Sequence, residues 1–379
     1  MKLTNAFKSF FKGEQIGGVI LIFSTIISLL ISNSQFSTNY QLLWEKQIGH
    51  HTFSEWINDA LMAVFFLLVG LELKREILIG ELSNFKKASL PVIGAFGGMI
   101  VPAVIYAFIN FGSKTISGSG IPMATDIAFA IGVLSLLGNR VPIALKVFLT
   151  ALAVIDDLGA IFVIAIFYTK SLSLANLIYA LLTFIFLVIL NKLKVRILTV
   201  YLIVGAILWY FMSKSGVHAT ISGVLLAFAI PFQDGQINSL SSVVEKSIHK
   251  PVIFIILPLF AMSNTAIQIP SDWLSNLANQ SNIGIAMGLI IGKPIGIFMF
   301  SYISVKIHLC ELSNGVKFSH LFGAGMLGGI GFTMSIFITL LAFTDPILIQ
   351  NAKMAILISS TIASIIGYFY LSKTLNSND

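Results

Sequence analysis

Apolar runs of roughly 17 to 25 residues, each long enough to cross a hydrocarbon core of about 30 Å as a helix, recur along the whole chain between short polar breaks. About twelve such spans are predicted: residues 16–32, 57–78, 88–110, 121–138, 142–168, 174–190, 195–212, 216–231, 251–267, 283–305, 321–343 and 350–371. Two of them are defective as continuous helices. The fourth, 121–138, is short, and Thr125 and Asp126 interrupt its apolar run. The eleventh, 321–343, carries Gly323, Gly325, Gly328, Gly329 and Gly331, and backbone broken by glycine at membrane depth is tolerated only where protein or water surrounds it. Each defective run is the middle member of a three-span set, in separate halves of the chain. Paired interruptions of this kind predict a transporter of inverted-topology repeats with its site where the two breaks cross.

The polar breaks carry less pattern. Residues 35–55 roughly alternate apolar and polar, which predicts an extracellular loop with a possible β-hairpin. Residues 232–250 form the longest inner polar segment, a cytoplasmic loop whose second half holds Glu245, Lys246, His249 and Lys250. The third span, with Pro91, Gly94, Gly97, Gly98 and Pro102, is predicted to lie inside the bundle, because small residues let helices approach closely in lipid.

Composition agrees with an all-α polytopic membrane protein. Hydrophobic residues make up 56% of the 379 and charged residues 10%, against roughly 25% charged in soluble domains. The net charge of +7 does not point to nucleic acid, since the basic residues are spread over loops rather than gathered into a stripe. With the N-terminus inside, sixteen Lys and Arg fall on inner loops and five on outer ones (Lys46, Lys114, Lys170, Lys214, Lys353), which predicts cytoplasmic termini at both ends. The lone Cys310 excludes an intrachain disulfide. The first apolar run lacks a small-residue cleavage pattern and reads as a retained span.

The candidate chemistry lies in the few charges at depth. Asp156 and Asp157 sit together in the fifth span, Asp126 in the fourth and Lys293 midway along the tenth. Ionisable groups there are costly and usually functional. Neighbouring helical residues point about 100° apart, so one aspartate can meet Lys293 while the other faces elsewhere. Asp157 is expected to be the principal cation and proton ligand, with Asp156 exchanging between Lys293 and the site; a purely structural tie remains open for Lys293 with Asp156 taken alone. Half-helix ends at the crossing would carry partial charges, with Asp126 suited to the positive ends and Lys293 to the negative ones. Carboxylates with Thr125 and backbone carbonyls offer the oxygen ligands a hard cation needs. The same carboxylates bind protons, so cation and proton compete for one place. Glu72 and Glu76 flank Lys74 and Arg75 at the cytoplasmic end of the second span, where they read as a solvated helix end or a regulatory cluster. His218, near the outer end of the eighth, is either a structural hydrogen-bonding group or a proton sensor.

The motifs FFLLVGLELKRE (65–76), GIPMATDIAFAIGVLSLLG (120–138), ALAVIDDLGAI (151–161), SGVHATISGVLLAF (215–228), IGKPIG (291–296) and GAGMLGGIGFTMS (323–335) resemble those of the NhaA-type sodium/proton antiporters, in one order over nearly the whole chain. That family is itself a known inverted-repeat case, so the paired interruptions and the resemblance are not independent. The resemblance implies an NhaA-like fold and a bacterial inner-membrane antiporter exporting Na+ or Li+ for two protons, activated at alkaline pH, with no cofactor and a homodimeric state. It places cation and proton binding on Asp156 and Asp157, charge compensation on Thr125, Asp126 and Lys293, and pH response on Glu72, Glu245 and His249. Residues 35–55 match its dimerising hairpin. Ser119, Ser242 and the MSNT of residues 262–265 depart from its usual residues. A sodium-coupled solute symporter and an intramembrane aspartyl protease are the alternatives; the latter lacks its usual GxGD context.

Overall fold

The structure is a computed structural model describing residues 5–83, 85–169, 172–232, 239–269, 273, 277–312 and 315–376. Lys2, Lys170 and residues 233–238 of the predicted inner loop lie outside the described residues. Among the described residues, eight helices are long and apolar enough to cross a membrane: Gln15–Ser32, Phe53–Leu78, Ala88–Ile109, Ile143–Phe167, Leu174–Lys192, Leu198–Ser215, Gln280–Lys306 and Pro346–Leu375. The two defective runs are bent pairs. Lys114–Met123 and Ile127–Ser135 meet at 43°, and Phe318–Gly328 and Phe332–Ala342 at 48°. Counting each pair as one span raises the total to ten.

The remaining two predicted runs are helical over shorter pieces. Gly216, at φ +87°, ends the helix before residues 216–231, and only Ile221–Ala229 is α-helical before Pro231. Residues 251–267 continue Leu240–Pro251 through a π turn, Val252–Ile256, into Leu257–Asn264. Leu240–Pro251 is a helix where polarity predicts a loop; the Ser239 hydroxyl accepts the Ser242 N–H and starts it. Likewise Ser37–Glu45 is a helix within the stretch read as a loop, its Tyr40 and Trp44 buried. It is followed by a two-residue antiparallel ladder, Gln47 opposite Thr52 and Ile48 opposite His51.

The chain divides into two compact units. The first comprises residues 1–38, 84–160 and 264–379, and the second residues 39–83 and 161–263. In the second, Leu71, Leu187, Tyr201, Leu208 and Ala227 are buried in one apolar cluster. In the first, the Phe85–Ile109 and Gln280–Lys306 helices cross on glycine. A Cβ on Gly97 would lie 2.2 Å from the Gly296 carbonyl oxygen, and one on Gly296 2.1 Å from that of Gly97. Close approach through small residues is the commonest way for helices to bind in lipid. Gly296→Ala is expected to destabilise the solubilised protein by about 1–3 kcal/mol in a denaturation assay, as overpacking does, and to displace Lys293 three residues away. Unchanged stability would show that the crossing has slack.

Lys293 directly follows a π turn, Gly288–Gly292. Pro294 has no N–H to donate back along the helix, which loosens the preceding turn and rotates Lys293 relative to a regular helix. A further π turn, Val252–Ile256, also has a proline, Pro258, two residues after it.

Candidate functional site

The site is built where the two helix breaks of the first unit are joined. The Asp126 N–H donates to the Ile330 carbonyl (2.7 Å), so each break satisfies backbone that the other leaves open. The Asp126 carboxylate accepts at Oδ1 from the Phe129 N–H (2.9 Å), capping Ile127–Ser135, and at Oδ2 from the N–H and hydroxyl of Thr333 (3.1 and 2.5 Å) at the start of Phe332–Ala342. One buried carboxylate therefore faces the positive N-terminal ends of two half-helices. Without it, two sets of buried N–H groups would face each other unpaired.

The sequence offers Lys293 two places, beside Asp156 or at the carbonyl end of a half-helix. Its ammonium donates to Asp156 Oδ2 and to the Thr125 hydroxyl (2.6 Å), not to the carbonyl end of a half-helix. The C-terminal carbonyl of Gly328 is met instead by the Thr125 hydroxyl (2.8 Å). That same hydroxyl lies 2.6 Å from Asp156 Oδ2. With one proton and two acceptors, Thr125 can donate to the carboxylate or to the carbonyl, so its orientation is tied to the charge and partners of Asp156.

Asp156 and Asp157 are each 1% exposed and Lys293 is fully buried. The structure thus assigns the lysine to Asp156 and leaves Asp157 outside the pair, in the field of Asp156, Asp126 and Lys293. Asp156 Oδ1 and Asp157 Oδ1 are both buried without a hydrogen-bond partner. Two buried carboxylate oxygens without protein partners are costly unless a proton or a cation binds them. Among the described residues no group of three or more His, Cys, Asp or Glu is poised around one ion, so a cation here would draw further ligands from hydroxyls and carbonyls, the donors a hard ion accepts.

The four residues considered for pH response fall at two places within the second unit. Glu245 Oε1 pairs with Arg75 Nε at 3.1 Å, and Arg75 also contacts Glu76 (3.2 Å). Glu72 is buried one turn earlier on the helix that carries Arg75. His249 lies on the Glu245 helix within reach of the Arg75 and Lys250 charges. His218 is elsewhere, its Nδ1 2.8 Å from the Thr220 hydroxyl and its Nε2 3.7 Å from Asp59. Burial pushes the Glu245 carboxyl up, opposed by Arg75. Burial, then Arg75 and Lys250, hold His249 below its ordinary 6.5. A lowered histidine favours the folded state fully above pH 6.5 and loses that contribution as pH falls through its folded value. Thermal stability is therefore expected to fall on acidification below pH 6.5, and less steeply in His249→Gln. Identical acid limbs would remove His249 from the balance.

A family model described as Na+/H+ antiporter 1 matches residues 8–371. The chain belongs to that family. It is 58% identical to Na(+)/H(+) antiporter NhaA 1 of Flavobacterium johnsoniae over all of this chain and 99% of that one. It is 57% identical to the NhaA of Flavobacterium psychrophilum (100% and 98% covered) and 48% identical to that of Vibrio campbellii (98% and 96%). Members of the Na+/H+ antiporter 1 family are membrane transporters rather than enzymes, which disposes of the protease alternative.

Two residues of this family member escaped the sequence reading. Thr333, inside the GFTMS motif, is the second ligand of Asp126. Its signal was present: a threonine just after one break, as Thr125 lies just before the other helix. Lys74, read with its charged neighbours as part of a helix end at the interface, is 8% exposed. Its ammonium donates to the carbonyls of Ala227 (3.3 Å), Phe228 (2.9 Å) and Ile230 (2.5 Å), closing the C-terminal end of Ile221–Ala229. Lys353, counted among outer-loop charges, lies within the Pro346–Asn376 helix and donates to Asn264 Oδ1 at 3.2 Å. The departing residues also have partners: the Ser119 hydroxyl donates to the Ile116 carbonyl, and the Ser263 hydroxyl lies 3.0 Å from that of Ser54.

Proposed function

We propose that this chain exchanges Na+ or Li+ for protons across the bacterial inner membrane, with Asp156 and Asp157 as the shared cation and proton ligands. The observation that carries this reading is the pair of adjacent buried carboxylates, each with an oxygen lacking a partner, beside the junction of two helix breaks. Both ions seek those oxygens, and their binding is mutually exclusive when the ligand charge is the same. In the proton-loaded state Lys293 and Thr125 hold Asp156. A cation entering beside Asp157 competes with Lys293 for Asp156, and the Thr125 hydroxyl turns to the Gly328 carbonyl. Asp126 takes no part in exchange: it holds the two half-helix ends together while the ligands change partners.

The finer reading extends what the motif resemblance implies. Twelve spans, counting the two bent pairs as discontinuous helices of an inverted repeat, would leave both termini on one side, and the Lys and Arg bias of the loops favours the cytoplasm. Two protons per cation make each cycle electrogenic, which draws about 2.3 kcal/mol per 100 mV of membrane potential into export. Glu72, Glu245, His249 and His218 set the pH response, and residues 35–55 join two copies into a homodimer. Sodium and pH homeostasis is the physiological role.

The test uses acid-loaded inside-out vesicles with a pH dye and no organic solute. Na+ and Li+ are expected to dissipate the gradient and K+ to leave it. No response to Na+, or one requiring an organic solute as in a symporter, would overturn the reading.

A further inference from the structure

A histidine of the first unit lies apart from the ion site and from the pH-response groups of the second unit. His320 stands in the first turn of the Phe318–Gly328 half-helix and is fully buried. Its Nδ1 accepts the Lys317 N–H at 3.2 Å. That bond is one half of a capping box, in which a side chain of the first turn reaches back to the backbone N–H at the cap position. A ring nitrogen that accepts carries no hydrogen, so the ring is neutral with its hydrogen on Nε2. Nε2 is buried and makes no hydrogen bond of normal length. The backbone group that acts on the ring from another helix is that of Thr374, in the last turn of the Pro346–Asn376 helix, where carbonyls lack an intrahelical donor.

Protonation reverses these roles. An imidazolium has two N–H donors and no acceptor, so the Lys317 N–H loses its partner, while the Nε2–H becomes a charge-assisted donor at the negative end of the last helix. The half-helix packs against the Gln280–Lys306 helix, the last helix and Ile127–Ser135. At this end the first brings Tyr302, its ring 5.0 Å from that of Phe318, and Lys306, its ammonium over the Tyr302 ring. The second brings Tyr370, beside Phe322, and Lys373, and the third has no titratable residue. Lys317 is the charge that acts on the ring. The charged groups named are all cations, so the imidazolium turns to the Thr374 carbonyl rather than to a carboxylate.

The half-helix that His320 opens ends at the ion site. Gly328, about 12 Å along the axis at roughly 1.5 Å per residue, offers its carbonyl to the Thr125 hydroxyl (2.8 Å). Midway, a Cβ on Gly323 would lie 2.4 Å from the Leu371 side chain, so the half-helix is held against the last helix and a change at its start passes along its axis. We propose that His320 is a proton-operated latch: its neutral ring caps and holds the Phe318–Gly328 half-helix, and in acid it gives up that cap for the Thr374 carbonyl, which loosens the half-helix and slows ion exchange. The slowing rests on the exchange reading above. The release of the cap does not.

The test follows amide hydrogen exchange of the full chain in vesicles from about pH 8.5 to about pH 5.5, which brackets histidine titration, corrected for the intrinsic pH dependence of exchange. Over residues 317–324 the corrected rate is expected to rise about fivefold on acidification, as the loss of a cap implies, and over 221–229 to stay level. His320→Gln keeps a side-chain oxygen that can accept the Lys317 N–H at every pH and should hold residues 317–324 at the slow rate throughout; His320→Asn is the second variant should the glutamine not fold. His320→Leu should exchange fast at every pH. In the Na+-driven vesicle assay, His320→Gln should match the wild type at the alkaline end and keep more of its rate at the acid end. A wild-type rate over 317–324 that does not change with pH, or one that changes equally in His320→Gln, would overturn the latch. An acid limb of ion exchange identical in wild type and His320→Gln would overturn its effect on transport. Wild-type vesicles that give no response to Na+ at any pH would instead refute the exchange reading, with the amide rates still deciding the latch.

Discussion

Asp157→Asn is expected to reduce sodium-driven proton movement in vesicles to background and to abolish the release of protons when Na+ binds the purified protein. The substitution keeps size and shape but removes the negative charge and the site of protonation together, the two properties that exchange requires of one ligand. Asp157 makes no ion pair with Lys293 and its Oδ1 lacks a hydrogen-bond partner, so little native structure depends on its charge. Stability should therefore change by less than about 1 kcal/mol, the usual size for a substitution that breaks no network. The combination is diagnostic, because loss of exchange with an intact fold separates a ligand from a structural carboxylate. Retained proton release on Na+ addition would move the role to Asp156 or Asp126.

Lys293→Met is expected to show the opposite balance, with its largest effect on stability. The ammonium sits with no exposed surface between Asp156 and Thr125. Removing it leaves the Asp156 carboxylate charged and buried with the Thr125 hydroxyl as its remaining partner. Breaking one half of a buried pair costs about 3–5 kcal/mol, whereas replacing both halves with neutral groups is often neutral or stabilising. The double variant Lys293→Met with Asp156→Asn should therefore recover most of the loss and be far less destabilised than the sum of the two single variants in a double-mutant cycle by chemical denaturation. Additive losses would show that the two side chains do not depend on each other.

These two expectations rest on a division of labour between adjacent residues that no linear pattern contains. The sequence reading gives Lys293 to Asp156 and the principal ligand role to Asp157, but nothing in the run itself distinguishes them: both lie in the same apolar stretch and both are costly to bury. The helix turn predicts that they part, but which one meets Lys293 depends on the rotation of two helices about their axes. That rotation is set by the Gly97–Gly296 crossing and by the π turn before Lys293. Likewise Asp126 was legible as a half-helix cap, yet its second helix, through Thr333, comes from more than two hundred residues away. Lys74 shows the reverse case. Its charged neighbours made it look solvated, and only the packing of Ile221–Ala229 brings three carbonyls to its ammonium.

The sequence by itself determined the class of molecule, the two interrupted runs and the short roster of charges kept at depth. Hydrocarbon solvent makes these one-dimensional properties: the length of an apolar run and the cost of each buried charge can be read residue by residue. The tertiary structure decided the partners: Lys293 with Asp156, Asp126 with both half-helices, and the orphaned oxygens beside them. Partnership at a few ångströms depends on helix rotation and close approach between segments distant in the chain, and no local pattern encodes either.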